Sequence, residues 1–290
     1  MSSWTLISLL NWTTDYFTRR QIPTPRLDAE VLLAHLLNIE RIQLYLQFER
    51  PMSEKELSDF KALVQRRVKG EPVSYIRGFK EFWSLSFAVG PGVMVPRPET
   101  EILVETVEGR RSKIEDGRSK IEILDVGTGS GNLAITLAKV FPNAKVTAID
   151  VSEDALKYAK ENAVANGVQS RIEFIKNDFF TIHDLRPSIF NLLVSNPPYI
   201  PTKTIETLPA GVRDYEPRIA LDGGADGLDF YQKIGETAPR LLKPGGWLAV
   251  EIGEDQPRAV KEIFERAGLS DIEVVKDYAG LPRVVIAWTK

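Results

Sequence analysis

No cysteine occurs in the 290 residues. That excludes a disulfide framework, thiolate metal ligation and a cysteine nucleophile, and it fits a reducing compartment. Histidine is nearly as scarce. His35 and His183 lie far apart in the sequence and share no ligand spacing, so no metal site is expected. No run reaches the ~18 apolar residues that a membrane-spanning helix needs. Residues 1–12 lack the basic start and long apolar core of a signal peptide. Positive charge is not in excess either. Lys+Arg number 37 against 40 Asp+Glu, a net charge of -3, which argues against a broad nucleic-acid-binding face. What remains is the composition of an ordinary globular protein, 43% hydrophobic and 27% charged, long enough for two domains or one large one.

Residues 1 to about 72 read as a small helical bundle. Leu6, Leu9 and Leu10 recur at helical spacing, and Trp12 and Phe17 extend that face. Thr24-Pro25 starts a second helix, with Pro in its first turn. A third runs near 39–48, and a fourth begins at Ser53, with Glu56 completing a capping box, and ends near Gly70. From Tyr75 to Val95 the chain turns aromatic and β-branched and is broken by Gly90-Pro91-Gly92, a β-hairpin signal. Pro96-Arg97-Pro98-Glu99 then forms a rigid loop opening a helix to about Glu108. Arg97 and Glu99 form either a lid over a nearby cleft or a salt-bridged turn. Arg-Ser-Lys-Ile-Glu occurs at 111–115 and again at 118–122, too short a repeat for a solenoid and read mostly as a charged surface linker.

Beyond this point strand and helix alternate. Strands are expected at 121–126, 145–150, 171–176, 189–195, 245–252, 271–277 and 283–289, and helices at 131–140, 152–166, 225–242 and 255–268. Such alternation gives a mostly parallel sheet covered on both faces. The last two strands have no helix between them and are expected to pair as an antiparallel hairpin at the edge. The acidic run 222–229, with three glycines, lacks the spacing of a calcium loop and reads as a surface loop.

Chemistry concentrates at strand ends. Asn196-Pro197-Pro198-Tyr199 follows an apolar run, and two prolines cannot continue a sheet ladder. The result is a stiff corner at a strand's carboxyl end, where open α/β sheets bind ligands. Asn196 offers an acceptor and donors to another planar amide or amino group, and Tyr199 can pack on its face. The plain alternative is a Pro-Pro turn capped by Asn. Gly127-Thr128-Gly129-Ser130-Gly131 follows a second strand and opens a helix, a weak signal alone. Asn132 stands where a dinucleotide fingerprint has Gly or Ala, and no P-loop Lys follows. Asp150 ends the next strand about 20 residues on, the distance of a ribose-binding acid. Asp178 and Phe179 follow the third, one to accept from an adenine amino group and one to stack on the ring. Each also has a structural alternative: Asp150 beside a helix cap, Asp178 in a turn, Phe179 in the core.

This array resembles the S-adenosylmethionine-dependent methyltransferases, and Asn-Pro-Pro-Tyr resembles the motif of those that methylate amide or exocyclic amino nitrogen. Arg26-Leu27-Asp28-Ala29-Glu30, Gly70-Glu71-Pro72-Val73-Ser74-Tyr75-Ile76, Val95-Pro96-Arg97-Pro98-Glu99-Thr100-Glu101 and Tyr215-Glu216-Pro217-Arg218-Ile219-Ala220-Leu221 narrow the resemblance to the release-factor glutamine methyltransferase (HemK/PrmC) family, over nearly the whole chain. The doubled insert departs from the family pattern, as does Phe179, where some relatives carry Trp.

The resemblance implies an α/β fold. A seven-stranded, mostly parallel Rossmann-like sheet with a terminal antiparallel hairpin occupies residues 96–290. A helical substrate-recognition domain (1–74) and a β-hairpin linker (75–95) precede it. It implies a cytoplasmic, monomeric enzyme that uses S-adenosylmethionine, releases S-adenosylhomocysteine, and N5-methylates the glutamine of the Gly-Gly-Gln motif of class 1 peptide chain release factors. No metal, nucleic acid or membrane is expected. Gly127, Thr128, Gly129, Ser130, Gly131, Asp150, Asp178, Phe179 and Asn196 would hold the cofactor. Asn196, Pro197, Pro198 and Tyr199 would hold the glutamine, with Asn196, Pro197 and Tyr199 at the chemistry. Two rivals stay open: an adenine-N6 nucleic-acid methyltransferase, and a non-catalytic adaptor that binds release factor through the bundle.

Overall fold

The computed structural model describes residues 4–113, 120–181, 185 and 187–290. His183 and the middle of the repeated segment lie outside them. The chain divides into two compact units, Met1–Phe79 with Pro209–Tyr215, and Lys80–Leu208 with Glu216–Lys290.

The smaller unit is helical: α1 Leu6–Arg19, α2 Pro25–Leu37, α3 Arg41–Leu46, α4 Glu54–Val68 and α5 Val73–Arg77. Its helix starts are set by local chemistry. Thr5 and Ser8 form a capping box on α1, Pro25 occupies the first turn of α2, and Ser53 and Glu56 form the box on α4. Leu6, Leu10, Phe17, Leu32, Leu33 and Phe60 meet in one core. Two acids of the Arg-Leu-Asp-Ala-Glu segment are buried in ion pairs. Asp28 takes Arg67 at 2.7 Å, and Glu30 takes Arg26 at 2.7 Å and Arg41 at 2.6 Å. Tyr215 belongs to this unit and donates to the Lys69 carbonyl at 3.0 Å. His35 sits on α2 near Phe79. Burial and the charges of Arg77 and Arg66 lower its pKa, so it is neutral.

β1 Phe79–Phe82, which begins at the last residue of the smaller unit's first segment, and β2 Leu85–Ala88 form a hairpin that opens the larger unit. Its turn is Trp83-Ser84, both at positive φ (50° and 58°), and not the glycine-rich break at 90–92. Burial of Phe82 and Phe87 in the main core holds the two strands there without a turn glycine. A 3-10 turn, Pro98–Thr100, leads into α6 Glu101–Glu108.

There follow β3 Ile121–Val126, α7 Asn132–Val140, β4 Ala144–Asp150, α8 Glu153–Ala165, β5 Ile172–Lys176, β6 Phe190–Ser195, α9 Asp229–Leu241, β7 Leu242–Glu251, α10 Pro257–Arg266, β8 Ser270–Lys276 and β9 Pro282–Trp288. The seven-stranded sheet has the order β5-β4-β3-β6-β7-β9-β8, and β8 and β9 pair antiparallel at its edge as the sequence predicted; β9 is also antiparallel to β7. Leu192, Leu193 and Val194 are fully buried because helices cover both faces. Each such side chain contributes about 1.5–3 kcal/mol of burial.

The topology places the site. The chain winds outward from β3 through β4 to β5, then returns to lay β6 on the other side of β3. The switch point is therefore the crevice beyond the carboxyl ends of β3 and β6. Val126 and Ser195 are in register there, and Ser195 Oγ donates to the Val126 carbonyl at 2.7 Å. The glycine loop and the Asn-Pro-Pro-Tyr corner leave these two residues and flank one crevice.

Candidate active site

That crevice is a cleft partly open to solvent. Gly127, Thr128, Gly129 and Ser130 line it, with Asp150, Asp178, Phe179, Asn196 and Pro198. Gly131, Pro197 and Tyr199 do not.

The loop takes its shape from three glycines at positive φ: Gly127 (72°), Gly129 (55°) and Gly131 (82°). A Cβ on Gly127 or Gly129 would meet no atom within 4 Å, so backbone alone forms the wall there. Gly131 differs. A Cβ there would come 2.9 Å from Ile135 Cδ1 and 3.2 Å from Ala159 Cβ, so this glycine serves helix packing.

Asp150 is held by backbone. Its Oδ2 accepts from Gly129 N at 2.8 Å and its Oδ1 from Ser152 N at 2.9 Å. Burial raises its pKa against those bonds. The cap of α8 is Ser152, which accepts from Ala155 N. Asp178 Oδ1 accepts from Phe180 N at 2.9 Å, the geometry of a turn acid, while the residue still borders the cleft. Phe179 is 5% exposed, belongs to the core, and also forms cleft wall.

At the corner, Asn196 Nδ2 donates to Thr100 Oγ1 at 2.9 Å. Among the described residues no group donates to Asn196 Oδ1 or to the Pro197 carbonyl. The Tyr199 hydroxyl donates to Glu251 Oε1 at 3.3 Å, and its carbonyl accepts from Gln256 Nε2 at 3.0 Å. Burial, then the Glu251 charge, raises the Tyr199 pKa, so the phenol stays protonated. The 222–229 run buttresses this corner. A Cβ on Gly223 would fall 2.7 Å from the Pro198 carbonyl oxygen, so only glycine permits that approach.

Arg97 pairs with the buried Glu216 at 2.7 Å, and Glu216 also accepts from Val95 N at 3.3 Å. Burial raises the Glu216 pKa and the Arg97 charge opposes it. The salt-bridged alternative thus describes Arg97, whose partner lies in the Tyr-Glu-Pro-Arg segment rather than at Glu99. No cluster of metal-ligating side chains occurs among the described residues.

Four residues of the site escape sequence reading. Phe230 borders the cleft beside Phe180, ring centroids 4.8 Å apart. Asp125 is fully buried under the loop, its Oδ2 accepting from Thr128 Oγ1 at 2.7 Å and Ala134 N at 3.1 Å. Burial pushes its pKa up to about 7. Glu251, at the end of β7, is also pushed up to about 7 by burial, and Thr100 lies against it. A carboxylate inside an apolar strand run is the one sequence signal that marks Asp125 and Glu251.

A switch-point crevice with a glycine loop, and the match of residues 118–277 to a methyltransferase domain model, define a Rossmann-like methyltransferase. A methyltransferase from Pyrococcus furiosus shares this fold, with a TM-score of 0.53 and 23% identity over 80% of this chain and 98% of that one. Residues 8–78 match the PrmC N-terminal domain. The release factor glutamine methyltransferase of Geobacter sulfurreducens is 42% identical across 97% of this chain and 96% of its own. That of Chlorobaculum tepidum is 44% identical across the same shares. The chain belongs to the release factor glutamine methyltransferase family.

Proposed function

We propose that this chain transfers a methyl group from S-adenosylmethionine to the side-chain amide nitrogen of the glutamine in the Gly-Gly-Gln motif of class 1 peptide chain release factors. Translation termination is its setting, in the cytoplasm and as a monomer. The observation that carries the reading is Asn196 on the cleft wall, with no donor to its Oδ1 among the described residues, in a chain whose relatives are named release factor glutamine methyltransferases.

The cleft suits the cofactor. Its glycine wall leaves open space where side chains would stand, and Ser130 Oγ is buried there with no hydrogen-bond partner among the described residues. Residues 127–130 of the loop would hold the methionine part, with Gly131 packing the helix behind them, Asp150 would hold the ribose hydroxyls, Asp178 the adenine amino group, and Phe179 the ring. When bound, S-adenosylmethionine supplies a methyl group already activated by its sulfonium.

The protein's own task is positioning. An amide nitrogen is a poor nucleophile because its lone pair is delocalised into the carbonyl. Asn196 Oδ1 and the Pro197 carbonyl would accept the two amide hydrogens. That aims the nitrogen and steadies the positive charge developing on it as the N–C bond forms and the sulfonium C–S bond breaks; one of the two amide hydrogens then leaves to solvent as a proton. Tyr199 would pack on the amide plane, with its hydroxyl anchored on Glu251. The helical unit would recognise the release factor.

Asn196→Ala tests the assignment. Labelled methyl transfer to release factor should fall at least about a hundredfold at saturating cofactor. Full activity in the variant would remove Asn196 from the chemistry.

A further inference from the structure

The Asn196 amide has two ends, and the neighbouring residues decide which one faces the cleft. Nδ2 donates to Thr100 Oγ1 at 2.9 Å, and Thr100 Oγ1 donates to Glu251 Oε2 at 2.6 Å. The other carboxylate oxygen, Oε1, accepts from the Tyr199 hydroxyl at 3.3 Å. Thr100 is 0% and Glu251 1% exposed, so both lie away from bulk solvent. The direction of the chain follows from counting protons. An ionised carboxylate only accepts, and a hydroxyl carries one proton. Thr100 spends that proton on Glu251 and keeps only lone pairs for Asn196. The amide satisfies a lone pair with Nδ2 and not with Oδ1. Turning the amide over would set two acceptors face to face in a buried place.

We propose that Thr100 and Glu251 are positioning residues that fix the polarity of the Asn196 amide, so that the cleft presents an acceptor and selects a carboxamide over a carboxylate. The proposal rests on the reading that Asn196 receives the substrate amide. Glutamine and glutamate side chains have nearly the same shape. Shape alone discriminates poorly, whereas an acceptor facing a carboxylate places two acceptors together with no proton between them. An Asn196 free to turn over would offer Nδ2 and lose that discrimination. The proposed order of action is therefore Glu251 to Thr100, Thr100 to Asn196, and Asn196 to substrate, with Tyr199 holding the second oxygen of Glu251.

The test uses the full chain at about pH 8, above the value of about 7 to which burial pushes the Glu251 pKa. Binding is measured with S-adenosylhomocysteine present, for release factor and for its Gln→Glu form at the Gly-Gly-Gln motif. The wild type is expected to prefer the glutamine form by about tenfold or more. Thr100→Val keeps the shape and removes the hydroxyl. It should narrow that preference to within about threefold and lower kcat about tenfold to a hundredfold, with cofactor affinity unchanged. Thr100→Ser should restore both. Glu251→Leu removes both acceptors and frees the Thr100 proton for Asn196 Oδ1, so it should narrow the preference as well, and it carries the test if Thr100→Val does not fold. On an Asn196→Ala background, Thr100→Val should cost nothing further in kcat. Undiminished preference in Thr100→Val, or the same narrowing in Thr100→Ser, overturns the proposal. A wild type that methylates no release factor, or an Asn196→Ala enzyme with full activity, overturns the underlying reading instead.

Discussion

Two glycines four residues apart in the same loop should fail in different ways when replaced by alanine. Gly127 and Gly131 both sit at positive φ, 72° and 82°, so alanine at either pays about 1–2 kcal/mol of backbone strain. At Gly127 that is the whole structural cost, because the new Cβ meets nothing within 4 Å. At Gly131 the Cβ lands 2.9 Å from Ile135 Cδ1 and 3.3 Å from the Ala159 backbone Cα. Overpacking of this kind adds about 1–3 kcal/mol, for a total of about 2–5. At about 2–4 °C per kcal/mol, Gly127→Ala should lower Tm by about 2–8 °C and Gly131→Ala by about 4–20 °C. Cofactor binding should show the opposite order. The Gly127 methyl projects into open cleft where the proposed cofactor would meet backbone, so affinity for S-adenosylmethionine should fall tenfold or more. Gly131 forms no cleft wall, so the folded variant should bind within a few-fold of wild type. Thermal unfolding without ligand and calorimetric titration with cofactor supply both readings. A Gly127→Ala protein with wild-type affinity, or a Gly131→Ala protein as stable as Gly127→Ala, would refute the assignment of wall and packing roles.

Other expectations concern buried charge. The folded-state pKa of Asp125, about 7 against 3.8 when exposed, means that its stabilisation is complete below about pH 4 and is lost as pH rises through about 7. Asp125→Asn keeps an oxygen for Thr128 and Ala134, so it should flatten the fall in ligand-free Tm between about pH 4 and 7. An unchanged slope would show that Asp125 is not its source. Arg97→Met should strand Glu216 without its cation and cost about 3–5 kcal/mol in denaturant unfolding, while Glu216→Gln with Arg97 intact should cost less. Equal costs would contradict the pairing.

Much of this molecule was legible as pattern. An apolar run stopped by two prolines located β6, expected at 189–195 and found at Phe190–Ser195. The capping box at Ser53 was readable because it spans only three residues. The hairpin turn at Trp83-Ser84 was not, since neither residue advertises positive φ and its position depends on the burial of Phe82 and Phe87. The helix expected from 225 begins at Asp229 because Gly224 and Gly227 keep the preceding segment irregular, with Gly227 held against Tyr199. Within the site, the glycine loop, Asp150 and Asn196 announce themselves at strand ends. Thr100 and Glu251 do not, because they meet across 151 positions and only the closed sheet brings them together.

The most direct test of the central claim is mass spectrometry of release factor after incubation with this protein and S-adenosylmethionine. The account predicts the mass gain of one methyl group, assigned by fragmentation to the side-chain amide of the Gly-Gly-Gln glutamine and absent with Asn196→Ala. An unmodified glutamine, or a methyl group found only on another residue or on nucleic acid, would contradict it.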